Sequence, residues 1–296
     1  MKSIGLDIGG TNISAVVCDK FGNITYSCTR KSDFYGDRYL KNIEEIISIL
    51  LNDNKGITGI GIGVPGTVEH ETGKVIVCPA FNWKDVRLKD HIEKMFRIRT
   101  EIDNDVNAWT LAEKHIGAAK AYNDFAMITI GTGIGCGLFI GGKIYRGHSY
   151  EAGEVGYLPL GIDAYNEIIK KYDFGYFESK ASALAASNAY KKLTGTYLDC
   201  RELFQLATQG NKEAQQVVDG VYDYLGLGIS SIICTLNPQA VIIGGGMAKE
   251  GQSFLDEVSK KVQRLVPLKA KVSLTKTGDY GGAIGSALST FYSCKG

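Results

Sequence analysis

The chain has 296 residues, 44% of them hydrophobic and 22% charged, a composition that supplies buried cores and excludes a disordered polymer. That length exceeds what one core ordinarily organises and predicts two domains. Lys and Arg total 33 against 32 Asp and Glu, so no global positive field recruits nucleic acid or an anionic membrane, and a small-molecule partner is expected.

No apolar run reaches the roughly 18 to 20 residues of a membrane helix, and Met1 to Asp7 reads directly as a strand without a signal-like segment, which predicts a cytoplasmic protein. Seven cysteines, Cys18, Cys28, Cys78, Cys136, Cys200, Cys234 and Cys294, stand singly with no CxxC pair, so reduced structural thiols are expected.

In chain order, 3–7 and 12–18 read as strands around Ile8-Gly9-Gly10-Thr11, followed by a third strand over 24–28. Leu40, Ile43, Ile46, Ile47 and Leu50 recur at helical spacing and predict an amphipathic helix over 37–51. A buried strand over 60–64 ends at Pro65-Gly66, and 67–77 reads as a polar excursion and return. The strand over 99–102 runs into Asp103-Asn104-Asp105 and a helix whose stripe is Ala108, Leu111, Ala112 and Ile116, so Asn104 and Asp105 stand at a strand-to-helix junction, where open α/β sheets place ligands.

After Gly117 the opening pattern returns: a strand over 125–130, the glycine turn 131–135, and a strand over 136–140. Then come a loop over 152–160, helices over 178–193 and 212–236, a buried strand over 240–243, and Gly244-Gly245-Gly246 opening a helix that resumes at Phe254. A small-residue helix over 279–291 closes the chain.

Asp7 before a Gly-Gly turn can place main-chain N–H groups against a phosphate and orient hydrated magnesium, or it is the solvent-facing residue of an ordinary hairpin. The alternating glycines of Ile130 to Gly137 remove side chains from one face of a turn, as close approach to phosphates requires; a bulged core strand is the alternative. Because those glycines lead into a strand rather than a helix, a nicotinamide-binding fingerprint fits poorly. Gly244 to Gly246 suits an adenine or ribose, and a nucleotide accounts for all three clusters.

LDIGGTN (6–12), GVPG (63–66), DNDVNAWTLAE (103–113), TIGTGIGCG (129–137), AGEVGY (152–157), ESKAS (178–182) and NPQAVIIGGG (237–246) together resemble the ROK family of bacterial sugar kinases and repressors, within the hexokinase and actin superfamily, over essentially the full length. The resemblance implies an α/β fold of two actin-like (ribonuclease H-like) lobes with an interlobe cleft. The N-terminal lobe is expected over 1–117, with the 281–296 helix open to returning to it, and the C-terminal lobe over 118–280.

The same resemblance implies ATP-dependent phosphorylation of a hexose at its 6-hydroxyl. Asp105 is implied as general base, a role for which one placed carboxylate suffices in phosphoryl transfer; a helix N-cap is the other reading of Asp105. Gly66, Asn104, Glu154 and Glu178 are implied on the sugar, where carboxylates match vicinal hydroxyls, although Glu178 alone reads as a solvated helix-end residue. Asn82, beside Trp83, is placed where glucose-type members carry an Asn followed by an aromatic, and Trp83 reads equally as a partly buried aromatic. ATP is implied on Asp7, Gly9, Gly10, Thr11, Asn12, Gly131, Thr132, Gly133, Gly244, Gly245 and Gly246, with Mg2+ held through water by Asp7. A homodimer is implied as well.

Many relatives read GEIGH where this chain has Gly153 to Tyr157, and follow it with a CxCGxxGC zinc loop. Here no cysteine lies between Cys136 and Cys200, and His70, His91, His115 and His148 lack ligand spacing, so structural zinc is expected to be absent. Packing by Tyr157, Leu158, Leu160, Tyr172, Phe174 and Phe177 is expected in its place. Tyr157 reshapes the corner near C1 and C2, which keeps N-acetylmannosamine or a β-glucoside open beside glucose. The DNA-binding module of repressor relatives would precede Leu6, and a noncatalytic sugar-sensing regulator is the alternative of another class.

Overall fold

Strands β1 (Lys2–Ile8) and β2 (Asn12–Asp19) pair antiparallel, from Lys2 opposite Asp19 to Ile8 opposite Ile13. The computed structural model describes residues 1–31, 38–166 and 173–292. Strand β3 (Ile24–Lys31) lies outside β2 with mostly exposed side chains, as an edge strand does. Helix α1 (Arg38–Asp53) buries Tyr39, Ile43, Ile46, Ile47 and Leu50, the stripe its spacing predicts; Asp37, expected as its first residue, lies outside the described residues.

Strand β4 (Ile57–Val64) runs parallel to β1. The excursion that follows is a small antiparallel sheet of β5 (Thr67–Glu69), β6 (Lys74–Cys78) and a third strand the sequence pattern did not show, β7 (Trp83–Val86). Helix α2 (Leu88–Phe96) leads to β8 (Thr100–Asn104), parallel to β4, and α3 (Asp105–His115) follows without a loop. The main sheet is ordered β3-β2-β1-β4-β8.

In the second unit, β9 (Phe125–Ile130) and β10 (Ile134–Ile140) form the second hairpin; β11 (Lys143–Tyr145), next along the chain, lies in a segment that belongs to the first unit. The predicted helix over 178–193 is two helices, α4 (Tyr176–Ala181) and α5 (Ala183–Thr194). Ser182 breaks them because it turns extended (ψ 164°) to accept the Ala185 N–H and cap α5. Helix α6 (Cys200–Thr208), unpredicted, starts in a capping box of Asp199 and Glu202.

Helix α7 (Lys212–Leu236) spans the predicted range. By length and mean composition alone it would pass for a membrane span, although Asp219 and Asp223 interrupt its apolar residues. It is instead a core helix whose Val218, Val221, Leu225 and Ile229 are buried within the unit.

Strand β12 (Ala240–Gly244) pairs parallel with β9, and β13 (Lys271–Leu274) parallel with β12. The expected helix at Gly246 begins later: Gly246 caps a 3-10 turn over Met247–Glu250, and α8 (Gln252–Leu265) starts after Gly251 at φ 77°. The order β10-β9-β12-β13, one antiparallel pair and then two parallel ones, repeats β2-β1-β4-β8 of the first unit. The internal echo read from the sequence is therefore an echo of topology.

Helix α9 (Gly281–Tyr292) packs with the first unit. Side chains alternate across β1, so Ile4, Leu6 and Ile8 join Ile43, Ile47, Ile60 and Ile62 in one core, while Gly5 and Asp7 face α9. On that side Val16, Cys18, Ala112, Ala283, Ala287 and Leu288 form a second core. The helix lies against the sheet backbone: a Cβ on Gly5 would stand 1.9 Å from Ala283 O, and one on Gly61 would stand 1.6 Å from Ser286 O.

The units are Met1–Ala121 with Lys143–Ala152 and 276 onward, and Tyr122–Gly142 with Gly153–Thr275. The lobe expected as continuous over 118–280 is thus interrupted. Lys143–Ala152 belongs with the first unit because Arg146 pairs with Asp103, and the Tyr150 hydroxyl donates to Glu71 at 2.8 Å. Cys18, Cys28, Cys78, Cys136, Cys200 and Cys234 are free thiols, and Cys294 lies outside the described residues.

Candidate functional site

In the first unit the parallel register puts Val64 opposite Asn104, so Pro65-Gly66 and Asp105 leave neighbouring strand ends together. Asn104 takes the extended conformation of an N-cap, and its Oδ1 accepts from the N–H groups of Val106 at 2.9 Å and Asn107 at 3.2 Å. Its Nδ2 donates to Gly66 O at 3.2 Å. A Cβ at Gly66 would stand 2.3 Å from Val77 O, so the corner excludes a side chain.

The helix cap, left open for Asp105, is therefore Asn104. Asp105 is the first helical residue, half-buried, with Oδ1 accepting from Val106 N–H at 2.9 Å. Its carboxylate lies close enough to Cys78 to add to the burial that pushes that thiol up to about 12. Gly66, Asn104 and Asp105 are thus gathered at one corner.

Asn82 is exposed and left-handed at φ 53°, ending the turn Pro79–Phe81 with its N–H on Pro79 O at 3.2 Å. Trp83 is the half-buried aromatic of a cluster, 5.3 Å from Phe81 and 6.0 Å from Tyr39 between ring centroids.

Behind this corner are residues that motif reading passed over. Asp103, buried, accepts from Asn104 N–H at 2.8 Å and Asn107 Nδ2 at 3.2 Å, and pairs with Arg146. Glu113, wholly buried, accepts from Ala118 N–H at 2.6 Å, from the N–H groups of Lys276 and Thr277 at 3.1 Å, and from the Thr277 hydroxyl at 2.6 Å. Glu113 closes the DNDVNAWTLAE segment, but no local pattern marks a partner so far along the chain.

The first glycine turn closes with Gly9 N–H on Asn12 O at 2.9 Å, leaving Gly10, Thr11 and Asn12 exposed. Asp7 sits just before it, opposite Ser14 and Gly63, under the start of α9, where a Cβ on Gly282 would stand 2.3 Å from Asp7 Oδ2. Burial pushes the Asp7 carboxyl up to about 6, with no hydrogen bond or charge among the described residues to offset it. Such a carboxylate fits an ion that keeps most of its waters, as magnesium does. Among the described residues no group of three or more His, Cys, Asp or Glu could hold a metal ion by itself.

In the second unit Gly131 N–H bonds Gly133 O at 2.9 Å and Thr132 is exposed. Gly131 O accepts from Ala183 N–H at 2.8 Å, which ties the turn to the start of α5. Gly245, at φ 89°, lies against Ile130: a Cβ there would stand 2.5 Å from Ile130 O. The two glycine clusters of this unit, 131–133 and 244–246, are thereby brought together, with Gly246 exposed.

Glu178 is half-buried, and its Oε2 accepts from Ile134 N–H at 3.0 Å. Desolvation raises its carboxyl, partly offset by that bond. It is therefore not the solvated helix-end residue that its position alone allowed. Glu154 is exposed at the start of the 3-10 turn Val155–Tyr157, and Tyr157 is half-buried. Glu154 adds to the burial that pushes the Cys136 thiol up to about 12. Of the packing expected around Tyr157, Phe177 is wholly buried, but Phe174 is 47% exposed, which corrects its assignment to that core; Tyr172 lies outside the described residues.

The ROK family model matches residues 3–290. The chain is 32% identical to a putative xylose repressor of Caldicellulosiruptor sp. over 88% of its own length and 70% of the relative's. To the glucokinase of Thermotoga maritima it is 30% identical over 88% and 87%. The crystal structure of a ROK family glucokinase from Streptomyces griseus in complex with glucose and AMPPNP superimposes with a TM-score of 0.84 at 26% identity, covering 97% of this chain and 98% of that one.

Proposed function

We propose, for a chain that belongs to the ROK family and has its α/β fold, that it is an ATP-dependent kinase that phosphorylates a hexose at the 6-hydroxyl. The observation that carries the reading is the corner at Asn104. One side chain caps α3 and holds the Gly66 carbonyl, and so leaves the Asp105 carboxylate at the end of a parallel strand beside it.

In this reading Asp105 takes the proton of the attacking 6-hydroxyl, while Asn104, Gly66, Glu154 and Glu178 bind and orient the sugar. Phosphoryl transfer asks mainly for alignment and for cover of developing charge, and a residue that fixes the hydroxyl supplies the first. The turns 9–12 and 131–133, with Gly245 and Gly246, offer N–H groups and side-chain-free backbone to the nucleotide phosphates and ribose. Asp7 would hold Mg2+ through water. When bound, that ion would neutralise charge on the phosphates.

Glucose is the favoured substrate, supported by the glucokinase relative. N-acetylmannosamine or a β-glucoside remains a second substrate reading because Tyr157 stands where relatives carry a zinc-ligating histidine. A noncatalytic sugar sensor is the second functional reading, favoured by the 32% identity to a repressor.

One experiment separates them: a panel of glucose, mannose, N-acetylmannosamine and β-glucosides with ATP and magnesium, read as ADP release. Turnover with one of these sugars is the expected result. Folded protein that binds a sugar and releases no ADP with any of them would make the chain a sensor.

A further inference from the structure

Glu178 touches two segments that the proposed reaction gives to different substrates. Its Oε2 accepts from the N–H of Ile134, the residue that ends the glycine turn 131–133. A Cβ on Gly133 would stand 3.1 Å from Oε2 and 3.4 Å from Oε1, so the carboxylate lies against the turn itself. On its other side a Cβ on Gly156 would stand 3.0 Å from Oε2, which places the 153–157 segment in the same contact. The two glycines are open there because the carboxylate fills the space their side chains would take.

A negative charge beside a turn that receives phosphates opposes what it receives, and a carboxylate that occupies a main-chain N–H withdraws part of the donor field that would stabilise an anion. Sugar hydroxyls are strong donors to a carboxylate and can compete with a single N–H for it. We infer that Glu178 couples the two substrates: without sugar its carboxylate rests on the phosphate turn and holds nucleotide affinity down, and a bound hexose draws it off and raises that affinity. The inference rests on the kinase reading above and assigns the coupling between its two substrates to one side chain, that of Glu178.

Calorimetric titration of AMPPNP with magnesium into the sugar-free protein tests it. Glu178→Gln keeps the volume and an acceptor for Ile134 N–H but removes the charge, and it is expected to bind AMPPNP about tenfold more tightly than the wild type, as 1.4 kcal/mol of relieved repulsion would give. Glu178→Ala, titrated alongside, is expected to shift in the same direction.

In the wild type, saturation with the hexose turned over fastest in the panel is expected to tighten AMPPNP by a similar factor. Wild-type AMPPNP affinity that is unchanged by that hexose overturns the coupling, whether or not either variant folds. Folded variants that bind sugar-free AMPPNP no more tightly than the wild type overturn it too. Neither result touches the kinase reading, which fails instead if the panel shows no turnover.

Discussion

Glu113 accepts the hydroxyl of Thr277 through Oε1 at 2.6 Å, a bond between residues 164 positions apart. The same carboxylate takes the N–H groups of Lys276 and Thr277, and through Oε2 that of Ala118. Trp109 Nε1 donates to the Thr277 oxygen at 2.8 Å. One buried anion therefore fixes the chain just before it leaves the first unit and just after it returns to it.

Glu113→Ala leaves three main-chain N–H groups and a hydroxyl without their acceptor in a buried place. The expected cost is about 3 kcal/mol of unfolding free energy, read by urea denaturation. Glu113→Gln, which keeps one acceptor oxygen, should lose less. A midpoint for Glu113→Ala equal to the wild type's would show that the cluster contributes nothing to stability.

Gly61 offers a second stability test that involves no polar group. Its Cα faces Ser286 O so closely that a Cβ would stand 1.6 Å away, and backbone on both sides leaves nothing flexible to yield. Gly61→Ala should lower stability by about 3 kcal/mol, the upper end for overpacking, whereas Gly56→Ala, where a Cβ would meet nothing within 4 Å, should cost only the strain of its φ of 79°. Equal thermal midpoints for Gly61→Ala and wild type would mean that α9 does not lie on this sheet.

The two hairpins and their glycine turns were legible because period, apolar runs and glycine position all agree there, as in Ile4, Leu6 and Ile8 alternating with Gly5 and Asp7. Strands β7 and β13 were not, since Trp83–Val86 and Lys271–Leu274 are short and largely uncovered, and four residues carry little periodicity. The break at Ser182 was hidden because the helical pattern continues through it and no acidic residue stands three positions on to complete a box. Helix α6 was within reach: Asp199 and Glu202 have the box spacing.

At the candidate site, Asn104 and Asp105 are both good cap residues in sequence, and only the backbone tells which one caps. The Glu178 bond to Ile134 and the Asp103 pair with Arg146 join segments far apart in the chain, and no local signal carries such a contact.

Asp105 carries the sharpest test of the proposed chemistry. Because Asn104 provides the helix cap, Asp105→Asn removes a base without removing the cap. Turnover should fall about a hundredfold to ten-thousandfold with sugar affinity largely kept, measured as kcat in a coupled assay beside calorimetric sugar binding. Unchanged kcat would assign the proton to another group. The paired variant Asn104→Ala should behave differently, losing about 1 kcal/mol of stability with the cap and weakening sugar binding as well as turnover.

Asp7 turns burial into a pH dependence whose sign is opposite to that of a salt-bridged carboxylate. Its carboxyl rises from 3.8 to about 6 on folding because burial disfavours the charge. Between those values the native protein still holds a proton that the unfolded chain has released, so through this group stability falls as pH rises from about 4 to about 6. Above that range the loss is complete, up to about 3 kcal/mol at 1.36 kcal/mol per pH unit. Asp7→Asn removes the charge, so at pH 7.5 the ligand-free variant should be the more stable protein, and near pH 4 the advantage should vanish. Magnesium with AMPPNP should reverse the ranking at pH 7.5, since the proposed ion needs the charge that burial opposes. Urea denaturation of both proteins at the two pH values, with and without AMPPNP and magnesium, reads all three expectations. A variant no more stable than the wild type at pH 7.5 would mean that Asp7 is better solvated than its place beneath Gly282 implies.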